Sequence, residues 1–150
     1  MDAVTAVESH VDHALQSLIA RSELPSSGIG SAFLARYSDD MTRTWDARYE
    51  WLSEGFGVKV KGKKFQQDFN VAVECRNAIV HGSGHLTKRQ QSNLVKFVEL
   101  RKQLQSILKI AAHGTEMIFS ADSARNAVTV TSEFVHGFDE ILLGATAMDY

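Results

Sequence analysis

Proline is almost absent from this chain: it occurs once in 150 residues, at Pro25. Because proline interrupts α-helices more strongly than any other residue, the long stretch after Pro25 is free to form them. Apolar residues recur at intervals of three and four, the repeat of one side of a helix, beginning with Val4, Val7, Val11, Leu15 and Leu18. The sequence therefore predicts an all-α fold, an irregular bundle of five or six helices, in a single domain covering residues 1–150.

Glycines, Pro25 and capping residues divide the chain into the expected helices. These helices cover residues 3–21, 31–37, 41–53, 63–81, 88–112 and 132–148. Residues 58–61 alternate in hydropathy as a strand does but lie between glycines, so a loop is equally compatible, and residues 127–130 are expected to be briefly extended. The expected helix caps are Asp39 or Asp40, the capping box of Thr87 with Gln90, and Thr131 or Ser132.

Charge and cysteine content limit the class of protein. The formal net charge is −2, which excludes binding of nucleic acid by overall basicity and leaves only a local basic patch. The single cysteine, Cys75, cannot form an internal disulfide, and this favours a reducing compartment. The first residues show no secretion signal, and no window approaches the roughly 20 apolar residues of a membrane span. We therefore expect a cytoplasmic protein without a membrane partner.

The helix expected over residues 63–81 carries an unusual arginine. On a wheel of about 100° per residue, Arg76 falls in the middle of an apolar face, while Cys75 leaves that face. A guanidinium is always charged and costly to bury, so Arg76 is either an ion-paired core residue or faces a cleft or subunit interface that holds an anion. The apolar residues of this face are Phe65, Phe69, Ala72, Val73, Ile79 and Val80.

Two further polar residues lie close to Arg76 on the same helix. Asn77 and His81 are four residues apart, hence about one turn, and His81 directly precedes Gly82, where the helix is expected to end. Arg76 and His81 are about 140° apart on an ideal wheel, but an arginine is long enough to lean toward the helix end. The three side chains can therefore converge.

The run ECRNAIVHG at residues 74–82 resembles the motif of the HEPN superfamily, an arginine followed after four to six residues by a histidine. The polar Asn77 after the arginine and the glycines after the histidine also resemble that family. The clear likeness covers roughly residues 64–112, and the rest of the chain agrees in being helical.

The resemblance implies a HEPN-like helical bundle that forms a two-fold symmetric homodimer, with the two motifs facing each other across a cleft. Many HEPN domains are metal-independent endoribonucleases of toxin–antitoxin pairs, phage defence or RNA processing. By this resemblance the substrate is RNA, a possible partner is a nucleotidyltransferase-like antitoxin, and no cofactor or metal is needed. The alternative is a non-catalytic HEPN-like module for RNA binding, protein binding or assembly.

The chemistry of the residue types fits RNA cleavage. Without a metal, the ribose 2′-hydroxyl is the nucleophile, and a histidine can move its proton near neutral pH, so His81 is the candidate general acid or base. A guanidinium matches the charge that gathers on the phosphate oxygens, which assigns Arg76. Asn77 would orient the imidazole or bind the phosphate or ribose.

Basic residues flank the motif helix and are the candidate contacts to the RNA backbone. Solvated surface lysines explain the same pattern equally well. Glu74 can pair with one of the nearby basic residues or be an ordinary exposed carboxylate. The histidine pairs His10/His13 and His81/His85 supply too few convergent ligands for a zinc site, so no metal is expected. The basic residues are Lys59, Lys61, Lys63 and Lys64 before the motif, and Lys88 and Arg89 after it.

Overall fold

The computed structural model describes residues 2–147, excepting the side chain of residue 2, and this part of the chain is mainly helical. The coarse prediction of an α-helical fold is confirmed, but the predicted number of five or six helices is wrong, since the described residues form seven α-helices and one small two-stranded sheet. The helices are α1 Asp2–Arg21, α2 Gly28–Met41, α3 Trp45–Glu50, α4 Lys64–Gly82, α5 Lys88–Gln91, α6 Leu94–Leu108 and α7 Ala121–Thr146, and the strands are β1 Ala111–His113 and β2 Glu116–Ile118.

The chain forms two compact units. One, called here the α4 unit, contains Gly62–Gly137 with the first residues of α1 up to Val4. The other, called here the α2 unit, contains Thr5–Lys61 with the chain from Phe138 onward. That residues 1–150 form a single domain stays a prediction.

In the α2 unit the first predicted helix is confirmed, and Val7, Val11 and Leu15 are buried at its helical repeat. The second helix is longer than predicted, because the Ser27 side chain accepts a hydrogen bond from the Gly30 amide and starts α2 at Gly28.

The cap predicted at Asp39 or Asp40 is wrong, since both residues lie inside α2. The cap of α3 is Thr44, whose hydroxyl accepts from the Ala47 amide, and the chain continues from α3 into a π-helical turn, Trp51–Gly55. Residues 58–61 form a loop and not a strand, with Val58 and Val60 buried.

In the α4 unit the motif helix matches its predicted bounds to within a residue at each end. It ends because Ser83 adopts a left-handed conformation with φ of 51° and Gly84 follows with φ of 90°. The amides of both residues donate to the Ala78 carbonyl, which satisfies one of the orphan carbonyls of the last turn.

The capping box of Thr87 with Gln90 is confirmed, but the single long helix predicted after it is wrong. Asn93 starts a new helix, α6, by accepting a hydrogen bond from the Lys96 amide. Helix α6 ends at Leu108 because Lys109 is left-handed, with φ of 56°. Sequence analysis missed the antiparallel hairpin that follows, in which Ala111 pairs with Ile118.

The extended segment predicted at residues 127–130 is also wrong, because this segment lies inside α7. The run of β-branched residues favours a strand locally, but Val130 and Phe134 are buried four residues apart, as on one side of a helix. The hydroxyls of Thr129 and Thr131 donate to carbonyls one turn earlier, so the helix satisfies them. The helix cap predicted at Thr131 or Ser132 is therefore wrong as well, because both residues lie inside α7. The helix end predicted at residue 148 lies outside the described residues.

Aromatic rings pack α4 against α7 in the α4 unit. Phe69 and Phe134 are fully buried, with ring centroids 4.3 Å apart, and Phe65 meets Phe134 edge-on at 5.8 Å. Gly137 lies so close to Phe65 that a Cβ built on it would fall 2.6 Å from the ring carbons. A glycine at this position therefore permits the close approach of the two helices.

Gly137→Ala should destabilise the protein, because the new methyl group must displace the Phe65 ring. The expected loss in the free energy of unfolding, measured by urea denaturation, is about 1–3 kcal/mol. Gly144→Ala is the matched control on the same helix: nothing lies within 4 Å of its added Cβ, so the change should stabilise by about 0.5–1 kcal/mol. Similar effects of both variants would contradict this account of the contact.

Candidate functional site

One wall of a cavity in the α4 unit is formed by α4. Cys75 and Arg76 lie three and four residues after Ala72 and four and three residues before Ile79, so all four share one side of the helix. Arg76 thus lies among small and apolar residues, where the sequence places it. The wheel prediction for Cys75 is wrong, because this residue lines the same cavity as Arg76.

The cavity has a volume of about 230 Å³. Its other walls come from segments far from α4 in the sequence, and most of the side chains are apolar. Phe119, Ser120 and Ala124 are exposed residues of the lining, so the cavity opens to solvent on their side. The lining residues outside α4 are Ala3 and Val4 of α1, Leu108, Ile110, Phe119 and Ser120 around the hairpin, and Ser123, Ala124, Ala127 and Thr131 of α7.

Arg76 is the one charged residue of this lining. It is half-buried, and its guanidinium makes no hydrogen bond or ion pair with any other residue in the described part of the chain. The sequence left two alternatives for Arg76, an ion-paired core residue or an arginine that faces a cleft or interface. Within residues 2–147 the structure favours the cleft, because Arg76 lines a cavity and has no ion-pair partner there. An unpaired charge beside apolar walls is unfavourable for folding, and features of this kind are found mainly at functional sites. Arg76 is therefore a candidate for binding an anion.

The hydroxyl groups of the lining are already committed. Ser123 donates to the Lys109 carbonyl at 2.9 Å, and Thr131 donates to the Ala127 carbonyl at 2.9 Å. Ser120 and Ser123 hydroxyls are 3.2 Å apart and share a hydrogen bond. The N–H groups of the Arg76 guanidinium, by contrast, have no acceptor among the described residues, so they are available to a ligand in the cavity.

Replacing Arg76 should cost no stability. Arg76→Met keeps the bulk of the side-chain stem and removes the unpaired charge, so we expect the free energy of unfolding to stay equal or to rise. Arg48→Met is the contrasting variant, since Arg48 is buried and pairs with Asp12 in the α2 unit at 2.7 and 2.9 Å. That change should cost about 3 kcal/mol by leaving a carboxylate without its partner.

Both variants can be compared by urea denaturation. A loss of more than about 1 kcal/mol in Arg76→Met would show that the guanidinium stabilises the fold, contrary to the expectation.

The pKa of the Cys75 thiol reflects the burial of the same wall. Burial raises the pKa of its thiol to about 11, so the side chain is neutral at physiological pH and a poor nucleophile. We therefore assign the thiol a packing role.

The raised pKa of Cys75 predicts a loss of stability in alkali. The thiol of the folded protein keeps its proton up to pH about 11, whereas the ordinary thiol pKa, expected in the unfolded chain, is 9.0. Unfolding therefore releases a proton when the pH lies between these two pKa values. The contribution is present below pH 9 and is lost as the pH rises toward 11. At pH 10 the free energy of unfolding should fall by about 1 kcal/mol more in the wild type than in Cys75→Ala. If the free energy of unfolding had the same pH dependence in the two proteins, the raised pKa of Cys75 would be contradicted.

Asn77 and His81 lie on α4 but do not line the cavity with Arg76. Asn77 is half-buried, and His81 is exposed in the last turn. No hydrogen bond or ring contact joins the three predicted catalytic side chains within the described residues. Their convergence stays a prediction.

Several of the predicted RNA-contacting cations have acidic partners. Arg89 lies 3.0 Å from Glu74, Lys64 pairs with Asp68, and in the α2 unit Lys61 lies 3.2 Å from Asp46. Glu74 thus pairs with a basic residue, one of the two alternatives for it. Lys59, Lys63 and Lys88 are exposed and have no ion-pair partner in the described part of the chain. The free positive charge on the predicted RNA-contacting residues is therefore smaller than the sequence suggests.

The histidines form no shared cluster. His10 hydrogen-bonds to Asp139 at 2.7 Å in the α2 unit, and His85 lies 3.4 Å from the Thr115 hydroxyl in the α4 unit. Among residues 2–147, no three His, Cys, Asp or Glu side chains converge as they would around a metal ion. None of the described helices combines the length and apolar character needed to cross a membrane.

Sequence reasoning found Arg76 but missed the walls opposite it. Phe119 and Ala127 lie more than forty residues after Arg76 and carry no motif, so no local signal could identify them. Comparison with known proteins adds no relative: no family model matches the chain, and no curated protein or solved structure does either.

Proposed function

We propose that this chain is a HEPN-type endoribonuclease that cleaves RNA without a metal ion. The observation that carries the proposal is the guanidinium of Arg76, half-buried on α4 and without a partner among the described residues. On the same helix, five residues later, His81 offers an exposed imidazole in the last turn. The rise of about 1.5 Å per residue separates the two positions by about 7.5 Å along the helix axis.

In the proposed reaction the ribose 2′-hydroxyl loses its proton to an imidazole, and the 2′-oxygen bonds to phosphorus. The bond from phosphorus to the 5′-oxygen breaks, and a protonated imidazole supplies the proton that the leaving oxygen needs. Arg76 stabilises the negative charge that gathers on the phosphate oxygens. The products are a 2′,3′-cyclic phosphate and a 5′-hydroxyl.

Asn77 would assist His81. The two residues are four apart on a continuous helix, which brings their Cβ atoms within about 5–6 Å. The amide can therefore orient the imidazole or bind the phosphate or ribose. Lys63 and Lys88, exposed and free of ion-pair partners in the described residues, would contact the RNA backbone most strongly.

Two imidazoles are needed if one acts as base while another acts as acid. A homodimer with the two α4 helices facing each other would supply one His81 from each copy. Apolar side chains exposed on the α4 unit, among them Val80 beside His81, and Leu94 and Val95 on α6, provide surface that a dimer would cover. Under the same proposal, a nucleotidyltransferase-like antitoxin would be a further binding partner of this protein.

A second function is favoured by one observation, the separation of His81 from the cavity that Arg76 lines. If the two side chains do not meet at one phosphate, Arg76 can bind an anionic group while His81 takes no part. The chain would then be a non-catalytic HEPN-like binding or assembly module.

Cleavage of labelled single-stranded RNA in the presence of EDTA separates the two functions. The wild type should cut the RNA and leave 2′,3′-cyclic phosphate ends, whereas an all-2′-deoxy strand should stay intact. Arg76→Ala and His81→Ala should each lower the rate by about a hundredfold or more, since each removes one means of transition-state stabilisation or proton transfer.

Matched controls are His85→Ala, the next histidine along the chain, and Arg125→Ala, an exposed arginine of α7 paired with Asp122. Both should retain wild-type activity. Full activity in Arg76→Ala and His81→Ala would refute the mechanism, and no cleavage by any of the proteins would favour the binding module. Specific activity should also fall on dilution as a dimer dissociates, while an equally active monomer would contradict the two-imidazole scheme.

A further inference from the structure

The cavity beside Arg76 is large enough for a small molecule. An apolar cavity of about 150 Å³ holds a benzene ring, so about 230 Å³ accommodates a ring with a short substituent or a branched aliphatic group of similar size. The exposed lining residues Phe119, Ser120 and Ala124 leave a route of entry from solvent. The walls on α4 and α7, with Ala72 and Ala127 among them, contribute small side chains, which is why the space remains.

The polar groups of the cavity select the chemistry of its ligand. Ser123 and Thr131 donate to backbone carbonyls, so they offer little to a ligand with many polar edges. A nucleobase would leave its polar edges unpaired against these walls. Arg76 brings one positive charge and no acidic side chain shares the described lining.

One guanidinium matches one carboxylate, because two parallel N–H groups can donate to its two oxygens. A neutral ligand would leave the charge of Arg76 unpaired, and a phosphate dianion would keep a negative charge unmatched. The low polarity of the wall, which also raises the pKa of Cys75, strengthens a pair between a guanidinium and a carboxylate once both lose water.

We propose that this cavity binds a small apolar carboxylate, with the apolar body between the α4 and α7 walls and the carboxylate on Arg76. The site does not require that the protein cleave RNA. If Arg76 also holds an RNA phosphate, the two ligands exclude each other at the guanidinium. A carboxylate of this class would then compete with RNA.

Titration of the isotope-labelled full chain by NMR, without RNA, tests the proposal. The probe is phenylacetate, and its controls are phenylacetamide, which lacks the charge, and acetate, which lacks the apolar body. Phenylacetate should shift the amide signals of lining residues such as Cys75, Ala127 and Thr131 and saturate in about the millimolar range expected for a ligand of its size. Both controls should bind at least about tenfold more weakly.

Two variants locate the ligand within the cavity. Arg76→Gln should weaken phenylacetate binding by about tenfold to a hundredfold, because it removes charge-assisted hydrogen bonds. Arg125→Gln, an exposed arginine outside the lining, is the matched control and should bind as the wild type does. Ala127→Leu should abolish binding by filling the space, with circular dichroism to verify that the helices remain.

Three results would overturn the proposal: no shift of the lining residues by phenylacetate, equal binding of phenylacetamide, or undiminished binding by Arg76→Gln. If Ala127→Leu loses its helices, Arg76→Gln decides alone, because we expect the fold to tolerate the loss of an unpaired guanidinium. RNA cleavage is measured separately, so failure of this site leaves the proposed ribonuclease standing, and loss of RNA cleavage leaves the carboxylate site standing.

Discussion

The packing of two aromatic side chains, Phe69 of α4 and Phe134 of α7, sets the geometry of the α4 unit. Their buried rings lie 4.3 Å apart, and Gly137 lets Phe65 approach the backbone of α7 next to them. Contacting residues run in opposite order along the two helices, so the later turns of α4 face the earlier turns of α7. Because the residues that face each other there are mostly small, a space between the two helices stays unfilled.

The position of Arg76 gives that space its chemical character. A guanidinium beside apolar walls, without a protein partner in the described residues, is expected to add no more to stability than a methionine would. A charge in such a place is useful when a ligand supplies the counter-charge. Both proposals use this property, one with an RNA phosphate and one with a carboxylate. They differ in whether the exposed His81 takes part, since the imidazole lies outside the cavity lining.

Local sequence determined those elements whose boundaries depend on residues close together in the chain. The periodic apolar residues of α1 and α4, and the reciprocal hydrogen bonds of Thr87 and Gln90, are of this kind. One error occurred where burial opposed local preference. The β-branched residues around Val130 suggest a strand, but a helix buries Val130 and Phe134 on one side and satisfies the threonine hydroxyls as well.

The sequence by itself determined that Arg76 interrupts the apolar face of a helix and that His81 lies at the end of that helix. Both facts follow from the spacing of residues within a few turns. Only the tertiary structure decided what faces Arg76, because the opposite walls come from α7 and the hairpin, more than thirty residues away in the sequence. It likewise decided which cations are neutralised, as the pairing of Arg89 with Glu74 depends on how the chain turns after α4. A side chain's partner is set by distance in space, and local sequence patterns do not encode that distance.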